Sequence, residues 1–196
     1  MKGIYRGLTI RFFIVKFNDT LSGLINRFPY LISSSVYSAL LVSHGIRSDV
    51  KLVLHFNDPL CITFNSDRLR NLRPDMQSTI GFFRKVLSMN LKYGRSGAES
   101  TLTTGISYSR IDFPSLIKGS SNLFFNDDKG MWIDEVHFPK NFKFIIFYPF
   151  ADPSILQLLV KLSAKPIKVA SKYKLPGALL TILSNYLDKQ EVKRND

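Results

Sequence analysis

The sequence predicts an α/β fold built on a largely parallel sheet. Three observations carry this. Strand-like and helix-like segments alternate along the whole chain. The segment Phe142–Tyr148 (FKFIIFY) is apolar almost without a break, which is the pattern of a strand buried on both faces. Asp152-Pro153 follows it directly, an N-cap residue and then proline at the first helical position. The chain has 196 residues, a length that suits one domain with a full hydrophobic core. It is read as a single domain over 1–196 with a polar tail at 189–196.

The elements follow in order. Thr9–Phe17 (TIRFFIVKF) is rich in β-branched and aromatic residues and reads as a strand. Tyr30 to His44, behind Pro29, is apolar with helical spacing and is expected to stop at Gly45. Val50–Phe56 and Cys61–Phe64 flank the turn Asn57-Asp58-Pro59 and predict a hairpin. Pro74-Asp75 opens a helix to about Leu91, with Met76, Ile80, Phe83 and Leu87 on one face. Gly94–Thr104 reads as a linker and Gly105–Tyr108 as a short strand. Asp112 is the expected cap of a short helix. Leu123–Phe125 and Met131–Ile133 should flank a turn at Asn126–Gly130. Ile167–Ala170 reads as a strand. The last helix starts at Pro176 and should bury Leu175, Ala178, Leu179, Ile182, Leu183, Tyr186 and Leu187.

Composition narrows the function. There are 27 Lys+Arg against 15 Asp+Glu, a formal charge of +12, and 45% of residues are hydrophobic. That apolar share excludes a disordered basic tail. A single cysteine, Cys61, excludes a disulfide scaffold and a cysteine-based metal site, and three scattered histidines give no metal expectation. The longest apolar run, 144–151, is far short of the ~20 residues of a membrane span, and Arg6 and Arg11 interrupt any leader-like core. The expected compartment is the cytoplasm, with no membrane partner.

The charge is segregated. Arg68, Arg70, Arg73, Arg84, Lys85 and Arg95 fall in one stretch, and Lys161, Lys165, Lys168, Lys172 and Lys174 in another. Such surfaces attract phosphate backbones by releasing counterions. With Arg47, these residues are the candidate RNA contacts. Arg47 and Asp49 lie two apart in Ser43–Val50 (SHGIRSDV) and by themselves read as a surface ion pair. No glycine-rich phosphate loop or nucleophile elbow is present. Cys61, in mid-strand, reads as a structural thiol.

Several segments together resemble the archaeal tRNA pseudouridine-54 N1-methyltransferases of the SPOUT class. They are Phe13–Lys16 (FIVK), Ser38–Val50 (SALLVSHGIRSDV), Ile62–Leu87, Gly105–Arg110 (GISYSR) and Asn185–Asp188 (NYLD). The resemblance implies a SPOUT-like fold with a carboxyl-terminal trefoil knot, a homodimer through the knot, and structured RNA rather than DNA as partner. It places the S-adenosylmethionine pocket at Phe147, Asp152, Ala170 and Leu179. Against the pattern, Phe28-Pro29-Tyr30 stands where the family has Arg-x-Asp, and Tyr148–Asp152 replaces a glycine loop. Residues 131–176 contain no glycine, so the pocket is expected to be filled or reshaped. The favoured expectation is therefore an RNA-binding protein without methyl transfer, needing no cofactor and no catalytic residue. Its first partner is ribosomal RNA and its second tRNA. The alternative is an active S-adenosylmethionine-dependent tRNA pseudouridine-54 N1-methyltransferase.

Overall fold

The computed structural model describes residues 10–43, 45–70, 72–93, 99–171 and 175–195. β1 (Ile10–Phe17) leads into helices α1 (Leu21–Arg27) and α2 (Pro29–Leu40). Two-residue strands β2 (Leu41–Val42) and β3 (Gly45–Ile46) pair antiparallel. Next come β4 (Val50–His55), β5 (Leu60–Asn65), α3 (Met76–Tyr93), β6 (Ser100–Thr103), β7 (Ile106–Arg110) and α4 (Phe113–Ile117). The carboxyl-terminal part holds β8 (Leu123–Trp132), a 3-10 turn at Ile133–Glu135, β9 (Asn141–Tyr148), α5 (Pro153–Lys161), β10 (Lys165–Lys168) and α6 (Pro176–Asn195).

Eight strands make one sheet in the order β10-β8-β9-β1-β4-β5-β7-β6. The first five run parallel and the last three add antiparallel. β1 and β9 lie inside the sheet with packed layers on both faces, which accounts for their apolar composition. Their side chains alternate between two cores. Phe13, Val15 and Phe17 face α1, α2, α3 and α6, whereas Ile14 faces α4 and α5. On the first side Phe138 packs its ring 4.9 Å from both Phe124 and Phe142.

The structure departs from the sequence reading at several elements. α1 was not expected. Thr20 caps it, its hydroxyl accepting from the Gly23 amide at 3.1 Å, and it buries Leu21, Leu24 and Ile25. The α2 helix stops at Leu40, where the chain turns extended, so Gly45 serves the β2–β3 pair instead of a helix end. Ser100–Thr103, expected as linker, is the edge strand β6; of the rest of that stretch, Gly94–Ala98 lies outside the described residues. The expected turn at Asn126–Gly130 is a bulge within β8. Phe125 pairs with Pro166 and Met131 with Ile167, leaving the five residues between them looped out. β10 begins two residues earlier than expected. In α6, Leu180 and Ser184 are buried while Ile182 is exposed, as is Leu175 just before the helix. The expected polar tail at 189–196 continues α6 to Asn195, and the buried Gln190 donates to Val136 O at 2.6 Å.

An ion-pair network fastens α6 to the amino ends of the parallel strands. The Arg11 side chain is 2% exposed and meets Asp49 at 2.8 Å, Asp188 at 2.6 Å and Glu191 at 2.8 Å. Arg47 grips both Asp188 oxygens, at 2.7 and 2.8 Å. The expected Arg47–Asp49 pair is thus replaced: Asp49 serves Arg11, and Arg47 crosses to the last helix.

Candidate functional site

The carboxyl ends of the five parallel strands share one edge of the sheet, where open α/β sheets bind ligands. The loops there are tied to one another. After β1, the Asn18 amide donates to Tyr148 O at 2.9 Å and its side-chain Nδ2 to Phe150 O at 2.8 Å. The Asn126 carboxamide oxygen, in the β8 bulge, accepts from the Val169 amide beyond β10 at 3.3 Å. Gly130 closes the bulge; a Cβ there would stand 2.5 Å from the Pro166–Ile167 backbone, so only glycine permits this approach. Between bulge and loop lies a cleft of ≈ 390 Å³ lined by Asn126–Lys129, Phe147, Pro149, Phe150, Ala151 and Leu156. This size lies within the range of small-molecule sites.

The absence of glycine over 131–176 led to the expectation of a filled pocket. The structure shows an open cleft beside this stretch, with Phe147 among its walls. Phe150 lines this cleft and is 67% exposed. Of the four implied pocket positions, Phe147 lines the cleft. Asp152 caps α5, accepting from the Ser154 hydroxyl and amide at 2.6 and 2.8 Å, bonds that hold its carboxyl below the usual range. Ala170 packs against the core and Leu179 is buried within it, away from the cleft lining.

Beside the cleft, on the α5 side of β1, is a buried polar cluster. Lys16 donates to Phe17 O at 2.9 Å and Asn57 Oδ1 at 2.6 Å, and burial draws its pKa below the ordinary lysine value. His55 Nε2 lies 3.0 Å from Ile111 O. Burial first, and then the nearby Lys16 charge, lower its pKa to about 4. Burial pushes the Cys61 thiol up to about 12, which leaves it protonated and unreactive at neutral pH. These groups brace the ends of β1 and β4 rather than offering a nucleophile. Among the described residues no group of three or more His, Cys, Asp or Glu gathers as a metal site.

The expected RNA contacts among the described residues fall into two groups. Arg68, Arg70, Arg73, Arg84 and Lys85 are exposed around α3, which lies over β5 and β7. Lys161 and Lys165 are exposed near the β10 edge, where Lys168 is partly buried. With strands ~4.8 Å apart, five or six spacings put the two groups roughly 25–30 Å apart. Arg95, Lys172 and Lys174 lie outside the described residues. Arg47 is corrected: its side chain is 11% exposed and committed to Asp188, so it is an internal fastener. Sequence reasoning missed the β8 bulge that walls the cleft. Its Asn-Asp-Asp-Lys-Gly composition signals a turn, and only the pairing with β10 reveals a looped-out strand.

A mostly parallel sheet with a loop-walled cleft at its carboxyl edge defines the class of open α/β folds, which bind ligands at that edge. The chain belongs to the family whose model, described as "Putative SAM-dependent RNA methyltransferase", matches residues 18–192. It is 28% identical over 160 residues to the tRNA (pseudouridine(54)-N(1))-methyltransferase of Haloferax volcanii, covering 78% of this chain and 79% of that protein. It is 30% identical over 117 residues to the protein of the same name from Thermococcus kodakarensis, covering 56% and 59% of the two chains. The crystal structure of Archaeoglobus fulgidus Nep1 bound to S-adenosylhomocysteine shares the fold, with a TM-score of 0.64, 14% identity, and coverage of 96% of this chain and 100% of that one. The fold is thus the SPOUT-like α/β fold that the resemblance implied.

Proposed function

We propose that this chain is an S-adenosylmethionine-dependent RNA methyltransferase acting on N1 of a pseudouridine in tRNA. The carrying observation is the open cleft at the carboxyl edge of a chain matched over 18–192 by that family. The chemistry of the lining suits the donor. Asp127 brings a carboxylate to the cleft, a complement for a cationic ligand, while Phe147 and Leu156 supply an apolar wall. Bound S-adenosylmethionine supplies an electrophilic methyl on a sulfonium. The chain's own residues hold and orient: Asn18 and Asn126 fix the loops around the cleft, and a fixed geometry is what in-line transfer requires. The strand order β10-β8-β9-β1-β4 supports a knotted carboxyl-terminal half within the same reading, and the resemblance adds a homodimer.

Calorimetry with S-adenosylmethionine, and transfer of labelled methyl to tRNA carrying pseudouridine, test this. Micromolar donor binding and about one methyl per tRNA are expected. No heat at millimolar donor sinks the proposal. A second reading, RNA binding without transfer and with ribosomal RNA as partner, draws on Phe28-Pro29-Tyr30, which supplies neither guanidinium nor carboxylate. It requires a donor-free protein that still binds RNA with a log–log salt slope of about −4 to −5, the value for ~6 neutralised phosphates.

A further inference from the structure

The exposed aromatic side chains are distributed unevenly. Among the described residues the large exposed aromatics are Phe28 at 52%, Tyr30 at 67%, Trp132 at 41% and Phe150 at 67%. All four stand at the carboxyl edge of the parallel strands. Trp132 ends β8 and Phe150 follows β9. For the other two, α2 gives the direction. Its last residue, Leu40, accepts from the Arg47 amide at 2.8 Å, beside the Arg11–Asp188 network at the amino edge. Twelve residues at 1.5 Å each make about 18 Å of helix, so its first turn lies at the opposite, carboxyl edge. Ser34, one turn beyond Tyr30 on the same helix face, sits beneath Gly177 at the start of α6. Tyr30 therefore overhangs the entry of the last helix.

Two of these rings carry a cation. The Arg27 guanidinium, which is ion-paired to Asp19, lies 5.9 Å from the Phe28 ring centre, and the Lys168 ammonium lies 4.4 Å from that of Trp132. Pro29 at the first helical position and the backbone bond from Leu31 N to Phe28 O at 3.0 Å fix the backbone that bears Phe28 and Tyr30. Rings held on a stiff frame, interleaved with cations on a chain of charge +12, match unpaired nucleotides, which offer a π-face and a phosphate at each step. A duplex hides its base faces and cannot use such a platform.

We infer that the carboxyl edge is a stacking platform for single-stranded or looped-out RNA, with Phe28, Tyr30 and Trp132 receiving base faces and Lys168 meeting an adjoining phosphate. The inference rests on the reading that RNA is the substrate, but not on methyl transfer.

Trp132 is the sole tryptophan of the chain, so its emission reports on the platform alone. The full chain, without donor, is titrated with a uridine-rich single strand of about ten nucleotides and with a duplex of equal length. Stacking quenches the emission with the affinity seen by anisotropy for the single strand, and leaves it unchanged for the duplex. Phe28→Ala and Tyr30→Ala, both at exposed positions, each weaken single-strand binding about tenfold and duplex binding less than twofold. Equal losses on both RNAs, or unquenched emission at saturation, overturn the inference. So does a fall in sedimentation mass in the variants with RNA affinity intact, which would make the edge an interface between copies. Failed donor binding with the expected quench would refute the methyl-transfer reading and leave the platform standing.

Discussion

Replacing Arg11 with methionine removes the positive centre of the network that joins β1, the Asp49 loop and α6. Methionine fills similar volume without charge, so the effect isolates electrostatics. Breaking a buried pair by deleting one partner costs about 3–5 kcal/mol, but the remaining carboxylates differ in what they lose. Asp188 keeps both bonds from Arg47. The Asp188 and Glu191 side chains are 41% and 38% exposed, so water recovers much of their solvation. Asp49, at 15% exposed, is left without its cation. The expected loss is therefore toward the lower end, about 2–3 kcal/mol at neutral pH, or about 5–10 °C in Tm for a chain of this length. Urea unfolding with an unchanged m-value measures it. Adding Asp49→Asn to Arg11→Met should return about 1 kcal/mol, because it relieves the stranded carboxylate. A single variant as stable as the parent, or a double variant weaker than the single, would refute this account.

Three further outcomes follow from the geometry. His55 has a folded pKa of about 4 against about 6.5 when unfolded, so the unfolded chain takes up the proton first. Its contribution is complete above about pH 6.5 and fades as pH falls toward 4, by up to roughly 3 kcal/mol; His55→Gln should flatten stability across that window in parallel unfolding curves. Asp188 adds an acid limb of the same sign. Burial opposes its ionisation, yet hydrogen bonds from Arg47 and Arg11 prevail and hold its pKa below the ordinary value, so the network's support is lost only as pH falls below about 4. Gly130→Ala drives a Cβ into the Pro166–Ile167 backbone and should cost about 2 kcal/mol or more, with hydrogen exchange accelerated first at Ile167 and Lys168; unchanged exchange there would contradict the tight closure of the bulge.

How much was legible beforehand depended on how local each signal was. β9 could be read from its composition, since a strand covered on both faces has no solvent side to mark with polar residues. The Asp112 and Asp152 caps were legible because the bond to Ser115 or Ser154 spans only a few residues. α1 escaped because seven residues with a glycine show too little periodicity. β6 escaped because an edge strand of serine and threonine looks like a linker. Arg47 looked like half of a surface pair with Asp49, when its true partner is 141 positions away. Although both halves, SHGIRSDV and NYLD, stood out in the sequence, only folding joins them. The cleft was not legible for a related reason: residue size says how much bulk a loop carries, while the backbone decides where that bulk goes, and Phe150 ends up 67% exposed at the cleft wall.

The span of the Arg11–Asp188 contact, 177 positions, bears on how the molecule is made. During synthesis the arginine emerges long before its α6 carboxylates. Until these turns of α6 leave the ribosome, the central strand carries a cation facing an unfinished wall, and chains stalled before Asp188 should be held back by the quality control that removes unassembled products.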